Sequence, residues 1–246
     1  MKVAFLGTNG WFSTKTGSTP CILVESEKYY IVLDAGEGIY KLDNHIASGK
    51  PIFLFLSHFH LDHTFGLHIL AKFDLKQGID IYGQPGTKDT LASLIRHPFT
   101  APPSDLRTKI RFHDINEGTH HVPFRVTCRF LLHADPCFGY RIEVDGKTIV
   151  YCTDTGTCEN SFLLSQDADL LIHESAAKSG GSVIWPHTNP TQAAELAKKA
   201  NVKKLVLVHF DASIYTRFDD RKEAQAEARR TFKNTTSARD GMVLEL

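Results

Sequence analysis

Residues 51–63, with the sequence PIFLFLSHFHLDH, join a short apolar run to a dense group of polar side chains. The first six residues are typical of a buried β-strand. The polar residues that follow are His58, His60, Asp62 and His63. Three adjacent imidazoles would repel one another as cations and add little to a core, whereas histidine nitrogen and carboxylate oxygen are ordinary ligands for divalent metals. The segment therefore predicts a strand that leads into a metal site.

Other apolar runs of the chain also end in residues that can bind or assist a metal. They are short, rich in β-branched or aliphatic residues, and bounded as buried strands are. Their end residues are Asp34, Asp154, His173 with Glu174, and His209, and one further run precedes His133. The carboxyl ends of strands in one sheet system can share a rim, where side chains converge on a ligand. This convergence argues against the alternative that residues 58–63 are a histidine-rich surface turn.

The spacing of the candidate ligands predicts two metal ions. His58 and His60 are two positions apart in an extended segment, so they project to the same side. Asp62 and His63 fall on the turn into a helix predicted over residues 64–72, and they point toward a neighbouring position. The first site would contain His58, His60 and His133, and the second Asp62, His63 and His209. Asp154 is expected to touch both ions, since its two oxygens and its charge can offset two cations.

Composition indicates a globular protein with balanced charge. The 246 residues, 42% of them hydrophobic, contain no linker or repeat, which favours one α/β domain over residues 1–246. The 28 basic and 28 acidic residues argue against broad, nonspecific nucleic-acid binding. No apolar window approaches the roughly 20 residues of a membrane helix, so no membrane partner is expected.

The cellular location follows from two further features. Residues 2–6 read as a strand rather than as part of a secretory signal. The five cysteines are dispersed and form no Cys-x-x-Cys pair, which favours reduced thiols. A cytoplasmic protein is therefore expected.

The order of the candidate ligands, from residues 58–63 to His133, Asp154 and His209, resembles that of the metallo-β-lactamase superfamily. Matches to its ribonuclease Z branch span nearly the whole chain. They are Leu6-Gly7-Thr8, residues 33–38, residues 138–142, Thr153-Asp154-Thr155, residues 173–176, and His187 before a helix. The resemblance implies a four-layer αβ/βα sandwich of the α/β class, with a two-metal site on its edge.

The chain departs from ribonuclease Z in three places. The family usually carries an inserted arm that grips tRNA, but residues 134–153 have room only for one strand, a turn and the next strand. The family's His-Ser-Thr tripeptide is here His187-Thr188-Asn189, and residues 211–215 lack the basic residue of the usual Ser-x-Arg-Tyr. These departures resemble the smaller, arm-less phosphodiesterases of the same branch.

Three residues are candidates for proton transfer. Asp62 can hold or receive the proton of a nucleophilic water, and His187 can protonate the leaving oxygen. The resemblance implies that Glu174 orients His187. Asn189 and Pro190 read as the cap and first residue of a helix, whose amino terminus would favour a nearby phosphate. Asp34 is either a hydrogen-bond partner of a ligand histidine or an ordinary turn residue.

The predicted function is that of a binuclear metal-dependent hydrolase, a phosphodiesterase that attacks a small or single-stranded phosphodiester with a metal-bridged hydroxide. The alternatives are a tRNA 3′-processing endonuclease of the ribonuclease Z type, an ester, lactone or thioester hydrolase, and a metal-binding sensor without turnover. The expected cofactors are two divalent ions, with zinc preferred and manganese or iron as alternatives. The expected partners are a small-molecule or short nucleic-acid phosphodiester and, by resemblance, a second copy of the chain in a homodimer.

Overall fold

The chain alternates strands with short helices. The computed structural model describes residues 1–181 and 185–246. The strands in this part of the chain are β1 Lys2–Gly7, β2 Asn9–Gly10, β3 Cys21–Glu25, β4 Tyr30–Leu33, β5 Ile52–Phe55, β6 Ile79–Gly83, β7 Ile110–Asp114, β8 Gly118–His121, β9 Arg125–Phe130, β10 Phe138–Val144, β11 Lys147–Cys152, β12 Leu170–Glu174, β13 Leu205–Val208, β14 Phe210–Asp211, β15 Thr235–Ser237 and β16 Val243–Glu245. The α-helices are α1 Leu61–Thr64, α2 Thr87–Leu94, α3 Glu159–Ser165, α4 Pro190–Lys199 and α5 Phe218–Thr231, and 3₁₀ helices span Glu37–Asn44, Phe65–Lys72 and Pro103–Asp105.

Two seven-stranded sheets carry the fold. The first has the strand order β16-β1-β3-β4-β5-β6-β7, and the second has the order β15-β13-β12-β11-β10-β9-β8. In the first sheet β4 to β7 are parallel neighbours, and in the second β11, β12, β13 and β15 are. The parallel strands of each sheet end at a common edge, where the candidate ligands follow them in sequence.

The two sheets pack face to face through an apolar core. In β1, Val3 and Phe5 lie in the core between the sheets, whereas Ala4 and Leu6 face the opposite side. This alternation follows from the two-residue period of a strand, and both faces are apolar because both are covered. Tyr151 of the second sheet belongs to the same inter-sheet core and is fully buried.

Helices cover the outer face of each sheet. The 3₁₀ helices Glu37–Asn44 and Phe65–Lys72, together with α2, contribute to the apolar cluster on the first sheet. Helices α3, α4 and α5 contribute to the cluster on the second sheet. The order helix, sheet, sheet, helix confirms the predicted four-layer αβ/βα sandwich.

Three strand ends turn sharply at the edge that carries the candidate ligands. Asp34, Asp154 and His209 have positive φ angles of 59°, 51° and 51°. The left-handed conformation costs an ordinary residue roughly 1–2 kcal/mol, although short polar side chains tolerate it better than bulky ones. The turn ends each strand abruptly at the residue that carries the functional side chain.

One predicted helix boundary differs from the structure. The helix predicted over residues 64–72 begins earlier, as α1 Leu61–Thr64, and continues as a 3₁₀ helix, so Asp62 and His63 lie inside its first turn.

All five cysteines are free thiols, as predicted. Within residues 1–181 and 185–246, no helix is long and apolar enough to cross a membrane.

Candidate metal centre

The first group of candidate ligands joins four residues from three strand ends. It consists of His58, His60, His133 and Asp154, with one potential ligand atom of each within 4.8 Å of all the others. His58 Nε2 lies 3.6 Å from Asp154 Oδ2, and the ring centroids of His58 and His60 are 4.4 Å apart. The two histidines project to the same side, as their spacing predicts.

The second group shares Asp154 with the first. It consists of Asp62, His63, Asp154 and His209, again with potential ligand atoms within 4.8 Å of one another. Asp154 Oδ1 lies 2.7 Å from His209 Nε2 and 3.4 Å from His63 Nε2. Asp154 thus presents Oδ2 to the first group and Oδ1 to the second, which is the position predicted for a bridging carboxylate.

The donor atoms fit divalent metal ions. The buried His58 Nε2 has no hydrogen-bond partner in the described part of the chain. His63 Nε2 and His209 Nε2 face each other at 3.2 Å, where at most one can carry the proton of a hydrogen bond. Buried polar atoms normally have partners, and a cation would satisfy these nitrogens together with the carboxylates.

Electrostatics at the two groups of candidate ligands favour a bound cation. Burial lowers the pKa of His58 well below its usual value, and neighbouring histidines add to this effect. Burial also opposes protonation of His209, yet the charge of Asp154 and the hydrogen bond to it raise the pKa of His209 to about 10. Burial acts to raise the pKa of Asp154, but His209 and His63 hold it well below its usual value. The carboxylates therefore stay ionised and stabilise a cation.

Asp34 holds one candidate ligand from behind. The fully buried carboxylate accepts hydrogen bonds from the Ser57 amide at 2.7 Å, the Ser57 hydroxyl at 2.9 Å and the Tyr151 hydroxyl at 2.8 Å. Its Oδ2 also lies 2.7 Å from His63 Nδ1. A carboxylate at Nδ1 sets the tautomer of His63 and directs its Nε2 toward the second group of candidate ligands.

His209 is positioned by a short two-stranded ladder. Asn9 in β2 pairs in parallel with Phe210 in β14, directly after His209. The guanidinium of Arg221, which is buried against the Phe210 ring, donates to Asn9 Oδ1 and, at 2.8 Å, to Thr8 Oγ1. These contacts hold β2 beside β14, which directly follows His209.

Glycine is required next to the same imidazole. A Cβ atom on Gly10 would lie 2.5 Å from His209 Cε1, closer than real Cβ contacts allow. The β2 backbone can approach the ring only because residue 10 has no side chain.

Glu174 and His187 form a second functional unit beside the metal groups. Glu174 Oε1 lies 2.8 Å from His187 Nδ1, and the carboxylate accepts backbone N–H groups from Thr155, Ala176 and Thr188. Burial alone would lower the pKa of His187, but the hydrogen bond to Glu174 and its charge raise it. With Nδ1 engaged, Nε2 is the nitrogen available to a substrate.

Two neighbouring sequence predictions have different outcomes. Asn189 caps α4 and Pro190 is its first residue, as predicted. However, the Asn189 side chain already accepts the Gln192 amide at 3.0 Å in a capping box. The helix start therefore offers fewer N–H groups to a phosphate than the sequence suggests.

His173 is buried and faces the backbone oxygen of Glu174, which indicates a structural role.

A cavity of about 840 Å³ opens onto both groups of candidate ligands. Its lining combines five of the seven candidate ligands with apolar side chains from four separate segments. The lining residues are Gly10, Trp11, His60, Leu61, Asp62, His133, Asp154, Ala176, Trp185, His187, His209, Asp211 and Ile214. Five candidate metal ligands and the candidate proton donor His187 therefore face the same cavity.

The sequence did not reveal three contributors to this site. The Trp11 backbone N–H donates to Asp62 Oδ2 at 2.9 Å, and Asp135 Oδ2 lies 2.8 Å from His60 Nε2. Trp185 lines the cavity. The position of Asp135, two residues after His133, was a weak indication that it lies near the site. No sequence pattern indicates a contact made by the backbone N–H of Trp11.

Comparison with known proteins places these features in a family. The chain matches the family described as Beta-lactamase superfamily domain over residues 29–210. It is 30% identical to Ribonuclease Z of Microcystis aeruginosa over 310 alignment positions, which cover 100% of this chain and 96% of that protein. Because the alignment is longer than the 246 residues of this chain, that relative carries insertions. In the present chain, residues 134–153 hold only a short loop, β10, a turn and β11.

Solved structures agree with this assignment. The metallo-beta-lactamase fold protein YhfI from Bacillus subtilis superposes with a TM-score of 0.82 at 24% identity, covering 100% of this chain and 98% of that one. The short form of human tRNase Z gives a TM-score of 0.76 at 25% identity, covering 100% and 99%. This chain belongs to the β-lactamase superfamily, in which it is a metal-dependent hydrolase similar to ribonuclease Z.

Proposed function

We propose that the protein is a phosphodiesterase with two divalent metal ions, preferably zinc, that hydrolyses a small or single-stranded phosphodiester. The observation that carries this proposal is the position of Asp154, whose two oxygens face two adjacent groups of histidines. The two ions would be held by His58, His60 and His133 on one side and by Asp62, His63 and His209 on the other, with Asp154 between them. When bound, such ions lower the pKa of water and offset the negative charge of a phosphate.

The side chains around the two groups of candidate ligands support the chemistry of a diester. Asp62 lines the cavity, and its contacts with His63 and His209 hold its pKa below the usual value against the effect of burial. We infer that Asp62 accepts the proton of the attacking water. His187, held at Nδ1 by Glu174, would then donate a proton from Nε2 to the leaving oxygen.

A second candidate function is tRNA 3′-end processing. It is favoured by the relatives named Ribonuclease Z and by the similarity to human tRNase Z. The short connection over residues 134–153 argues against it, because it lacks the inserted arm that the resemblance leads one to expect. The His187-Thr188-Asn189 tripeptide, which departs from the family's usual sequence, argues in the same direction.

Three substrates separate the candidate reactions. We expect the metal-loaded protein to hydrolyse bis(4-nitrophenyl) phosphate faster than 4-nitrophenyl acetate, and to leave a precursor tRNA uncut. Specific cleavage of the tRNA at its 3′ end would establish the second candidate instead. Preference for the acetate would refute phosphodiester hydrolysis.

A histidine substitution tests the proposed proton donor. His187→Ala should lower kcat for the phosphodiester by about 10²–10⁴-fold, the usual contribution of a general acid, while metal content stays unchanged. His121→Ala, at an exposed position on β8, is the matched control and should retain full activity. Loss of metal from His187→Ala would show that the residue is a ligand rather than a proton donor.

A further inference from the structure

The mouth of the cavity carries apolar surface that metal chemistry does not require. Trp11 is 66% exposed, Leu61 58% and Trp185 53%. All three line the same cavity as the metal groups, together with Ile214. Large exposed apolar groups that cluster around a pocket indicate a ligand-binding surface. The chain has two tryptophans in total, and both are at this mouth.

Trp11 is held in a conformation that a bulky residue rarely adopts. Its φ angle is 70°, in the left-handed region. Its backbone N–H donates to Asp62 Oδ2 at 2.9 Å, and its ring meets Phe12 edge to face at 5.2 Å. The turn therefore ties the backbone of Trp11 to a candidate metal ligand while its ring stays exposed at the cavity mouth.

The charge of the lining restricts the ligand. Among the described residues that line the cavity there is neither lysine nor arginine, and Asp211 adds a further carboxylate. A long polyanionic strand would find no cationic groove here, although the metal ions can meet one phosphate. A cavity of about 840 Å³ is the size of sites that bind small organic ligands.

We propose that Trp11 and Trp185 recognise a flat aromatic group attached to the phosphate of a small phosphodiester. This proposal rests on the function proposed above and narrows its substrate class. The ring would contact the indoles at the cavity mouth while the phosphate reaches the metal groups. Stacking on an aromatic side chain suits any nucleobase or aryl ring, because each has a π-face.

Binding measurements test this proposal without turnover. Calorimetry on the metal-loaded protein should show that thymidine 5′-monophosphate binds at least about tenfold more tightly than methyl phosphate, as stacking of one base predicts. The preference should fall below about twofold in the Trp11→Ala/Trp185→Ala double variant, which keeps the backbone N–H to Asp62. Phenyl phosphate distinguishes the two sources of a ring: binding equal to that of the nucleotide indicates any aryl group, and weaker binding indicates a nucleoside.

Fluorescence assigns the effect to individual residues. Since both tryptophans lie at the cavity mouth, the nucleotide should quench intrinsic emission, and methyl phosphate should not. Trp11→Phe keeps a ring and should keep most of the binding preference. Phe99→Ala removes an aromatic side chain that is 71% exposed and does not line the cavity, so it is the matched control and should bind as the unmodified protein does.

Kinetics with a common leaving group separate the two proposals. Thymidine 5′-(2,2,2-trifluoroethyl) phosphate should lose about tenfold or more in kcat/KM in the double variant, whereas methyl 2,2,2-trifluoroethyl phosphate, which has no ring, should change by less than about twofold. Equal losses on both substrates, or equal binding of nucleotide and methyl phosphate, would overturn ring recognition. Hydrolysis of neither diester by the unmodified protein would refute the phosphodiesterase function, while the binding preference would still decide ring recognition.

Discussion

Replacement of Asp34 by Asn tests how the metal centre is supported. Asn keeps the shape of the side chain and tolerates the φ angle of 59° at this position, so backbone strain does not confuse the result. The carboxylate interacts with four donor groups, on Ser57, Tyr151 and His63. The amide of Asn can accept from only one of its two ends. At least one buried donor must therefore lose its partner.

The magnitude follows from these contacts. If the Asn oxygen faces Ser57 Oγ, Tyr151 and His63, the Ser57 amide loses its acceptor, at a cost of about 1–3 kcal/mol, and the remaining bonds each weaken by about 1 kcal/mol. Removal of a buried carboxylate also removes its desolvation cost, which offsets part of the loss. We expect the free energy of unfolding of the metal-free protein to fall by about 2–4 kcal/mol. Because Asp34 orients His63, metal affinity should fall by about 10–100-fold.

Two measurements separate the effects. Urea denaturation of the metal-free protein reports stability, and competition with a chelator reports metal affinity in the folded protein. Asp145→Asn is the matched control, since Asp145 also has a positive φ angle but is exposed, and its substitution should change stability by less than about 0.5 kcal/mol. Unchanged metal affinity in Asp34→Asn would refute the role of Asp34 in orienting His63.

Three further substitutions test other parts of the centre. Asp154→Ala removes the shared carboxylate, so metal analysis should find at least one ion fewer per chain; full occupancy would contradict the bridging position. Gly10→Ala places a Cβ 2.5 Å from the His209 ring and should weaken metal binding in the chelator assay, whereas Gly49→Ala, with no atom within 4 Å, should not. Arg221→Lys should lower the free energy of unfolding by about 1–3 kcal/mol in urea, because lysine cannot reproduce the forked hydrogen bonds of the buried guanidinium; wild-type stability would contradict that role.

The convergence of the candidate ligands was predictable because its signal is local. Each donor follows a short apolar run, so the strand and its side chain are read together, as at Asp154 and His209. The two-residue period places His58 and His60 on one side without knowledge of the fold. The layered architecture came from the resemblance of the motifs and is confirmed by the packing of both sheets.

Other parts of the site depend on contacts that a sequence does not record. The N–H of Trp11 reaches Asp62 across 51 positions, and any residue type except proline could donate it. The early start of α1 left no capping signal in the sequence, because His60, the residue before the helix, makes no side-chain cap hydrogen bond. The role of Asp34 was left open because a turn aspartate and a histidine partner look alike in sequence. The contact between Asp34 Oδ2 and His63 Nδ1 decides the matter, and it joins residues 29 positions apart.

The left-handed corners at Asp34, Asp154 and His209 limit how this centre could be re-engineered. Aspartate, asparagine and histidine are among the non-glycine residues that enter this backbone region most readily, and aspartate and histidine also supply hard and borderline metal donors. Exchange of Asp154 for glutamate or cysteine, to favour another metal, would meet a conformational penalty before any coordination chemistry is considered. Designs that change metal preference should therefore begin at His58 or His60, whose backbones lie outside the left-handed region.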